Sequence, residues 1–289
     1  MPASARVPDP GAEASDGGSA SAAGAARDLA TRAAAALSKR RALGAALLGG
    51  VVFALSSPPT DFYPAVVLGL ALLALSVSSA PTPARAFGRA VAWGTAAQLV
   101  GLRFVPSVIV RFTPLPLAAG VLALALLSAA QSITWGLGMA LASALARRVR
   151  APLELAFTCG AVLALSLPSV FAWSPAGLVT PWPAFVQLAD LVGERGVSAL
   201  FAVGAALLAR AWITARARRS TLAAIPRLGA AALLFAAIGV YGVAREASVT
   251  RAHAGAPTVS VGLVDHAIAP LERWDPKQHP RILRALHEL

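Results

Sequence analysis

Few residues in this chain combine in a way that could make or break a bond. Its single cysteine, Cys159, sits in the middle of an apolar run with no basic side chain close by in sequence to favour the thiolate. It reads as a packing residue. Four histidines, His253, His266, His279 and His287, follow the last long apolar run. They have neither ligand spacing nor a carboxylate cluster beside them, so no metal site is expected. Glu154 lies next to Arg150 at the edge of an apolar run and reads as an interface residue. Arg103, Arg111 and Arg195 carry a sharper reading, because a planar guanidinium grips phosphate through two N–H groups. Together they could hold a phosphate ester. A long cationic side chain near a helix end can also simply reach toward water, and that alternative stays open. No cofactor is expected.

The elements that would position these residues belong to a membrane. Apolar residues make up 57% of the chain and charged residues 13%, with a mean hydropathy of +0.69. Soluble domains usually carry about a quarter charged residues, so a bilayer must serve as solvent for much of this surface. A net charge of +12 would suggest nucleic acid in a soluble protein. Here the basic residues fall in short clusters between apolar runs, the pattern of membrane topology signals, and nucleic acid is not expected as a partner.

Residues 1–38 are rich in Ala, Gly, Ser and Pro and read as a disordered cytoplasmic tail. Lys39, Arg40 and Arg41 then precede an apolar run at 42–55, read as an uncleaved anchor rather than a signal peptide. Further runs follow at 64–79, 88–105, 115–146, 153–171, 196–214 and 225–244. No proline or charge interrupts the long run at 115–146 after Pro116 at its start, and it reads as one helix. About seven transmembrane helices result, and they sort the charges by side. Arg85, Arg89, Arg147, Arg148, Arg150, Arg216, Arg218, Arg219 and Arg227 fall with Lys39–Arg41 on the inner side. Asp61, Arg111, Asp190, Glu194 and Arg195 fall outside. Trp93 and Trp212 near inner ends, and Trp173 and Trp182 in the outer loop, read as interfacial belts. The membrane domain is thus expected at 39–245.

Beyond it, residues 258–264 are β-branched and apolar, as in a buried strand. Pro276 then precedes an amphipathic stretch at 281–289, with Ile282, Leu283, Leu286 and Leu289 at helical spacing. Strand, loop and helix open an α/β domain, here 246–289, and such a piece is too small to bury a core alone.

Leu55-Ser56-Ser57-Pro58-Pro59-Thr60-Asp61-Phe62-Tyr63-Pro64, at the end of the first run, is close to the turn after the first helix of the apolipoprotein N-acyltransferases, the membrane-embedded members of the nitrilase superfamily. Further segments resemble the same family. Leu115-Pro116-Leu117 resembles the opening of its fourth. Gln187-Leu188-Ala189-Asp190-Leu191-Val192-Gly193 and Gly196-Val197-Ser198-Ala199-Leu200-Phe201 are similar to the entry into its sixth, and Tyr241-Gly242 with Arg245 to the close of its seventh. Val261-Gly262-Leu263-Val264 and Arg273-Trp274-Asp275-Pro276 resemble the first strand and next loop of the nitrilase-like domain. Phe171-Ala172-Trp173-Ser174-Pro175 loosely echoes the segment after the fifth helix. Asp265 and Ala267 stand where the family has Gln and Asn, and Arg103 where it has an aromatic residue.

The resemblance implies about seven transmembrane helices followed by the first strand and helix of a nitrilase-like domain, in a bacterial inner membrane. The N-terminus would be cytoplasmic and the segment from 246 periplasmic. It implies transfer of an acyl chain from a phospholipid donor, through a cysteine thioester, to the N-terminal S-diacylglyceryl-cysteine of a diacylated lipoprotein acceptor. The glutamate, lysine and cysteine of that chemistry would lie beyond Leu289, and Trp274 would help orient substrate. Two other readings remain. One is a non-catalytic lipid-binding or docking subunit with a separate nitrilase-like partner. The other is a small transporter, for which Gln98 and Gln131 are the main polar groups at mid-membrane depth.

Overall fold

A computed structural model describes residues 39–257, 259–262, 273 and 275–287. Prolines punctuate the chain, and most helices begin at one. A proline in the first turn has its φ preset and lacks only an N–H that would be unpaired there anyway. Helix α1 (Lys39–Ala54) ends before Pro58, α2 (Pro64–Ser78) opens on Pro64, and α3 (Pro83–Gly101) opens on Pro83. Thr82 caps α3, its Oγ1 accepting the Arg85 N–H at 3.2 Å. A short α4 (Val105–Phe112) follows. Helix α5 (Leu117–Ala144) starts after Pro116 and runs into a π-helical turn, Leu145–Val149, that closes at Arg150 with φ 58°. Helix α6 (Leu153–Ser166) starts after Pro152. After the single turn Pro175–Leu178 come α7 (Ala189–Arg218) and α8 (Ile225–His253). A short α9 (His279–His287) is the last described element.

Six of these helices close a ring. Helix α1 packs on α2 and α3, α3 on α5, α5 on α6, α6 on α7, and α7 returns to α2. Helix α8 lies outside the ring against α7, and α4 lies against α5. Close approach depends on small residues, which draw membrane helices together where apolar burial alone cannot. Gly138 of α5 and Gly160 of α6 face each other so tightly that a methyl on either would strike the other's carbonyl.

Each of the seven expected runs forms a helix, and 115–146 forms a single one, as the absence of proline after Pro116 implied. Seven crossings are more than the lengths support. Leu117–Val149 (33 residues), Ala189–Arg218 (30) and Thr221–His253 (33) are each long and apolar enough to cross a bilayer among the described residues. Helices α3 and α4 together would make a fourth span, bent by 56°. The 16 described residues of α1 begin at the edge of the description, and α2 and α6 have only 15 and 14 residues, short of the ~20 that a crossing needs. Proline trims them: α2 lies between Pro64 and Pro81, and α6 between Pro152 and Pro168.

Two other expectations change. The break after Gly101 turns the expected outer loop around Arg111 into α4. No strand forms among the described residues, and 259–262 have no paired neighbour, without which a strand has no ladder; Thr258, Leu263 and Val264 lie outside the description. An amphipathic helix does stand near the expected place, as α9. Nothing identifies it as nitrilase-like. The tail at 1–38 lies outside the described residues.

Candidate functional site

Near the end of the ring that carries the 56–63 turn, the helices part around a cavity of about 230 Å³. Its deep end is aromatic. Trp93 of α3 and Trp135 of α5 lie 4.9 Å apart between ring centres, tilted by 56°. Phe53 at the end of α1 packs 4.9 Å from Trp93 and edge-on, 5.6 Å, against Trp173. The indole N–H of Trp93 donates to the Gly69 carbonyl of α2 at 3.1 Å. That bond pays the polar requirement of an otherwise buried ring and ties α3 to α2. Trp93 is only 1% exposed, so it is a wall of the ring interior rather than a member of an interfacial belt.

A polar side wall faces these rings. Gln131 of α5 donates through Nε2 to Oε1 of Gln98 on α3 at 2.7 Å, and its own Oε1 accepts the backbone N–H of Phe171 at 2.7 Å. Ser132 donates to the Ser128 carbonyl at 2.6 Å and accepts a long contact, 3.5 Å, from Gln98 Nε2. Both glutamines are buried, and a buried amide demands partners. This pair therefore fastens the loop after α6 to the ring. An amide has two N–H donors and a two-lone-pair oxygen, so each glutamine keeps capacity for a ligand in the cavity.

Glu194 and Arg195 stand at the rim. They follow Gly193, whose φ of 69° and ψ of 172° interrupt α7; a side chain at such a φ would be strained. On the other side of that break, Asp190 accepts the Tyr241 hydroxyl at 2.8 Å and Arg245 Nε at 2.7 Å. Tyr241 and Arg245 are four residues apart on one face of α8, so one carboxylate anchors α8 to the start of α7. Between them Gly242 lies against the Ala184 carbonyl with no room for a methyl. Tyr63, Trp182 and Phe185 stack beside this junction, with ring centres 6.2 and 4.3 Å apart.

Of the arginines singled out from sequence, Arg195 alone lines the cavity. Arg103 is exposed in the break between α3 and α4, and Arg111 is exposed in the last turn of α4. Among the described residues no hydrogen bond or ion pair engages any of the three guanidinium groups. Trp274 lies outside the described residues. Cys159 is half-buried and unpaired in α6, Glu154 pairs with Arg210 at 3.1 Å, and no metal-binding group occurs among the described residues. The sequence reading weighed Gln98 and Gln131 only as transporter residues and missed their pairing.

Residues 49–207 match the family model of the apolipoprotein N-acyltransferase N-terminal domain. The chain belongs to the apolipoprotein N-acyltransferase family. Every residue lining the cavity, from Phe53 to Arg195, falls inside the matched segment. The chain is also similar to the apolipoprotein N-acyltransferase of Azotobacter vinelandii, with 32% identity over 238 residues. That similarity takes in 81% of this chain and 45% of the relative, so the chain spans about half the length of the acyltransferase it matches. Segments that resembled the family separately in sequence meet in space here. The motif ending in Gly193 supplies Asp190, and the motif closing α8 supplies Tyr241 and Arg245.

Proposed function

We propose that these residues form the membrane part of an apolipoprotein N-acyltransferase. It passes an acyl chain from a phospholipid to the N-terminal S-diacylglyceryl-cysteine of a lipoprotein. The observation that carries this reading is the cavity with an aromatic deep end, an amide side wall and a rim that bears Glu194 and Arg195, lying wholly within the family segment. Arg195 would meet the donor's phosphate, with Arg103 and Arg111 at headgroup level beside the broken α3–α4 pair. Trp274 would orient the acyl group. The membrane is a bacterial inner membrane, with the N-terminus cytoplasmic and residues 246–289 at the start of a periplasmic nitrilase-like domain. Cys159 does not serve as the nucleophile in this scheme. It sits mid-way along α6 with no base beside it, whereas acyl transfer requires an activated thiolate at the donor ester.

The test joins residues 39–257 to the remaining length of the Azotobacter relative and supplies phospholipid with a diacylated lipopeptide. Mass spectrometry should detect N-acylation by the chimera and none by the 289-residue chain alone. Gln131→Leu, which removes the amide that holds Phe171, should lower the chimera's rate at least tenfold while the protein remains in the membrane. A folded, membrane-inserted chimera with no transfer would remove the acyltransferase reading. Acylation by the 289-residue chain would remove the assignment of the chemistry to other residues.

A further inference from the structure

The opposite end of the ring holds a second polar centre that acyl transfer does not use. Helix α2 ends there, and its last carbonyls face arginines from two other helices. Arg89 of α3, 8% exposed, donates through Nη1 to the Ser76 carbonyl at 2.6 Å and to Ser79 Oγ at 2.9 Å. Arg147, in the π-helical turn after α5, donates through Nη1 to the Ala80 carbonyl at 3.4 Å. Ser76 itself donates to the Ala42 carbonyl of α1 at 2.7 Å. Arg85, one turn before Arg89, is exposed and adds a like charge close enough to act on it.

Capping of helix carbonyls by arginine accounts for only part of this arrangement. A guanidinium has five N–H donors. Arg89 and Arg147 each engage theirs through Nη1 alone, and none of the three arginines forms an ion pair with a carboxylate of the described residues. Arg85 is close enough to Arg89 to repel it. The carbonyl end of α2 offsets part of the positive charge, and an anion at this end would offset more. The flank next to Ala42 is apolar and open, with Leu43 and Leu47 of α1 each 44% exposed. Guanidinium groups gathered at one helix end beside exposed leucines match a phosphate that carries hydrocarbon, rather than a free one.

We propose that Arg85, Arg89 and Arg147 form a binding site for the phosphate of an anionic phospholipid, whose acyl chains lie along Leu43 and Leu47. The lipid would neutralise the cluster and bridge α2, α3 and α5, and the site is separate from the cavity at the other end. The proposal does not depend on the acyltransferase reading.

The experiment uses the 289-residue chain in neutral detergent, titrated with phosphatidylglycerol or phosphatidylcholine and read by native mass spectrometry. Arg85→Gln/Arg147→Gln is the variant, because it leaves the buried Arg89 bonds in place. Selective retention of phosphatidylglycerol, weakened roughly tenfold or more in the double variant, is the expected result. Circular dichroism should show unchanged helix content in that variant. Equal retention of the two lipids, or full retention by the variant, would overturn the proposal. Glycerol 3-phosphate displacing the lipid at equal concentration would overturn the lipid assignment and leave a soluble phosphate ester as occupant. Binding seen only after removal of residues 1–38, which carry four carboxylates, would assign the site to the chain's own tail.

Discussion

The two ends of the helix ring use polar groups in opposite ways. At the end holding α2's C-terminus, arginines reach across to backbone carbonyls. At the other end the polar groups are amides, Gln98 and Gln131, and the bulky members are rings: Phe53, Trp93, Trp135 and Trp173. Rigid rings cannot fill an irregular gap completely, so the helices stay apart there and a cavity of about 230 Å³ remains. The contrast shows how one bundle can be joined by backbone capping at one end and held open by rings at the other. The Gly138–Gly160 contact lies between the two regimes, about one turn beyond Thr134 and Trp135 and about two beyond Gln131 along α5.

If this division of labour is right, the aromatic end should be the costlier one to damage. Trp93→Ala removes a ring that touches Phe53 and Trp135 and bonds to Gly69. It should lose about 3–5 kcal/mol in a circular-dichroism melt in detergent. A loss below that of any arginine-end variant would reverse the comparison. Gly138→Ala puts a methyl against the Gly160 carbonyl, and backbone cannot swing away as a side chain would. The expected loss is about 1–3 kcal/mol, and an unchanged melting temperature would mean the α5–α6 contact is looser than described. The smallest effect is expected at the arginine-rich end. Glu154→Gln breaks a pair with Arg210 whose side chains are 22% and 37% exposed, and solvent screening limits the change to about 1 kcal/mol or less. A larger loss would mean that ion pairs, rather than backbone caps, hold that end.

Much of the secondary structure was legible in the sequence because its signals are local. Apolar runs marked the seven long helices, and prolines at 64, 83, 116 and 152 marked where four of them begin. The uninterrupted run at 115–146 announced one long helix. The prolines that bound α2 and α6 also stand in the sequence, but the sorting of charges by side implied seven full crossings. Trp93 misled for a related reason. Its position near a helix end suggested an interface, while its burial depends on Phe53 and Trp135 from two other helices.

The site was much less legible. Gln98 and Gln131 stand 33 residues apart on different helices, and nothing local says that they face each other. Asp190 reaches Tyr241 and Arg245 across 51 and 55 residues. The only local hint was that Tyr241 and Arg245 share a helix face. Arg103, Arg111 and Arg195 looked equivalent in sequence, yet only Arg195 reaches the cavity, because the break after Gly101 carries the other two onto α4 and its approach.

By itself the sequence determined a membrane chain of apolar helices, their proline-set starts, the clustering of arginine between them, and a resemblance to one family. These follow from hydropathy, fixed proline φ and charge, which act within a few residues. The tertiary structure alone decided which helices close the ring, where small residues let backbones touch, and where aromatic rings hold them apart. Those outcomes depend on shape matching between faces far apart in the chain, and that matching leaves no periodic mark in the sequence.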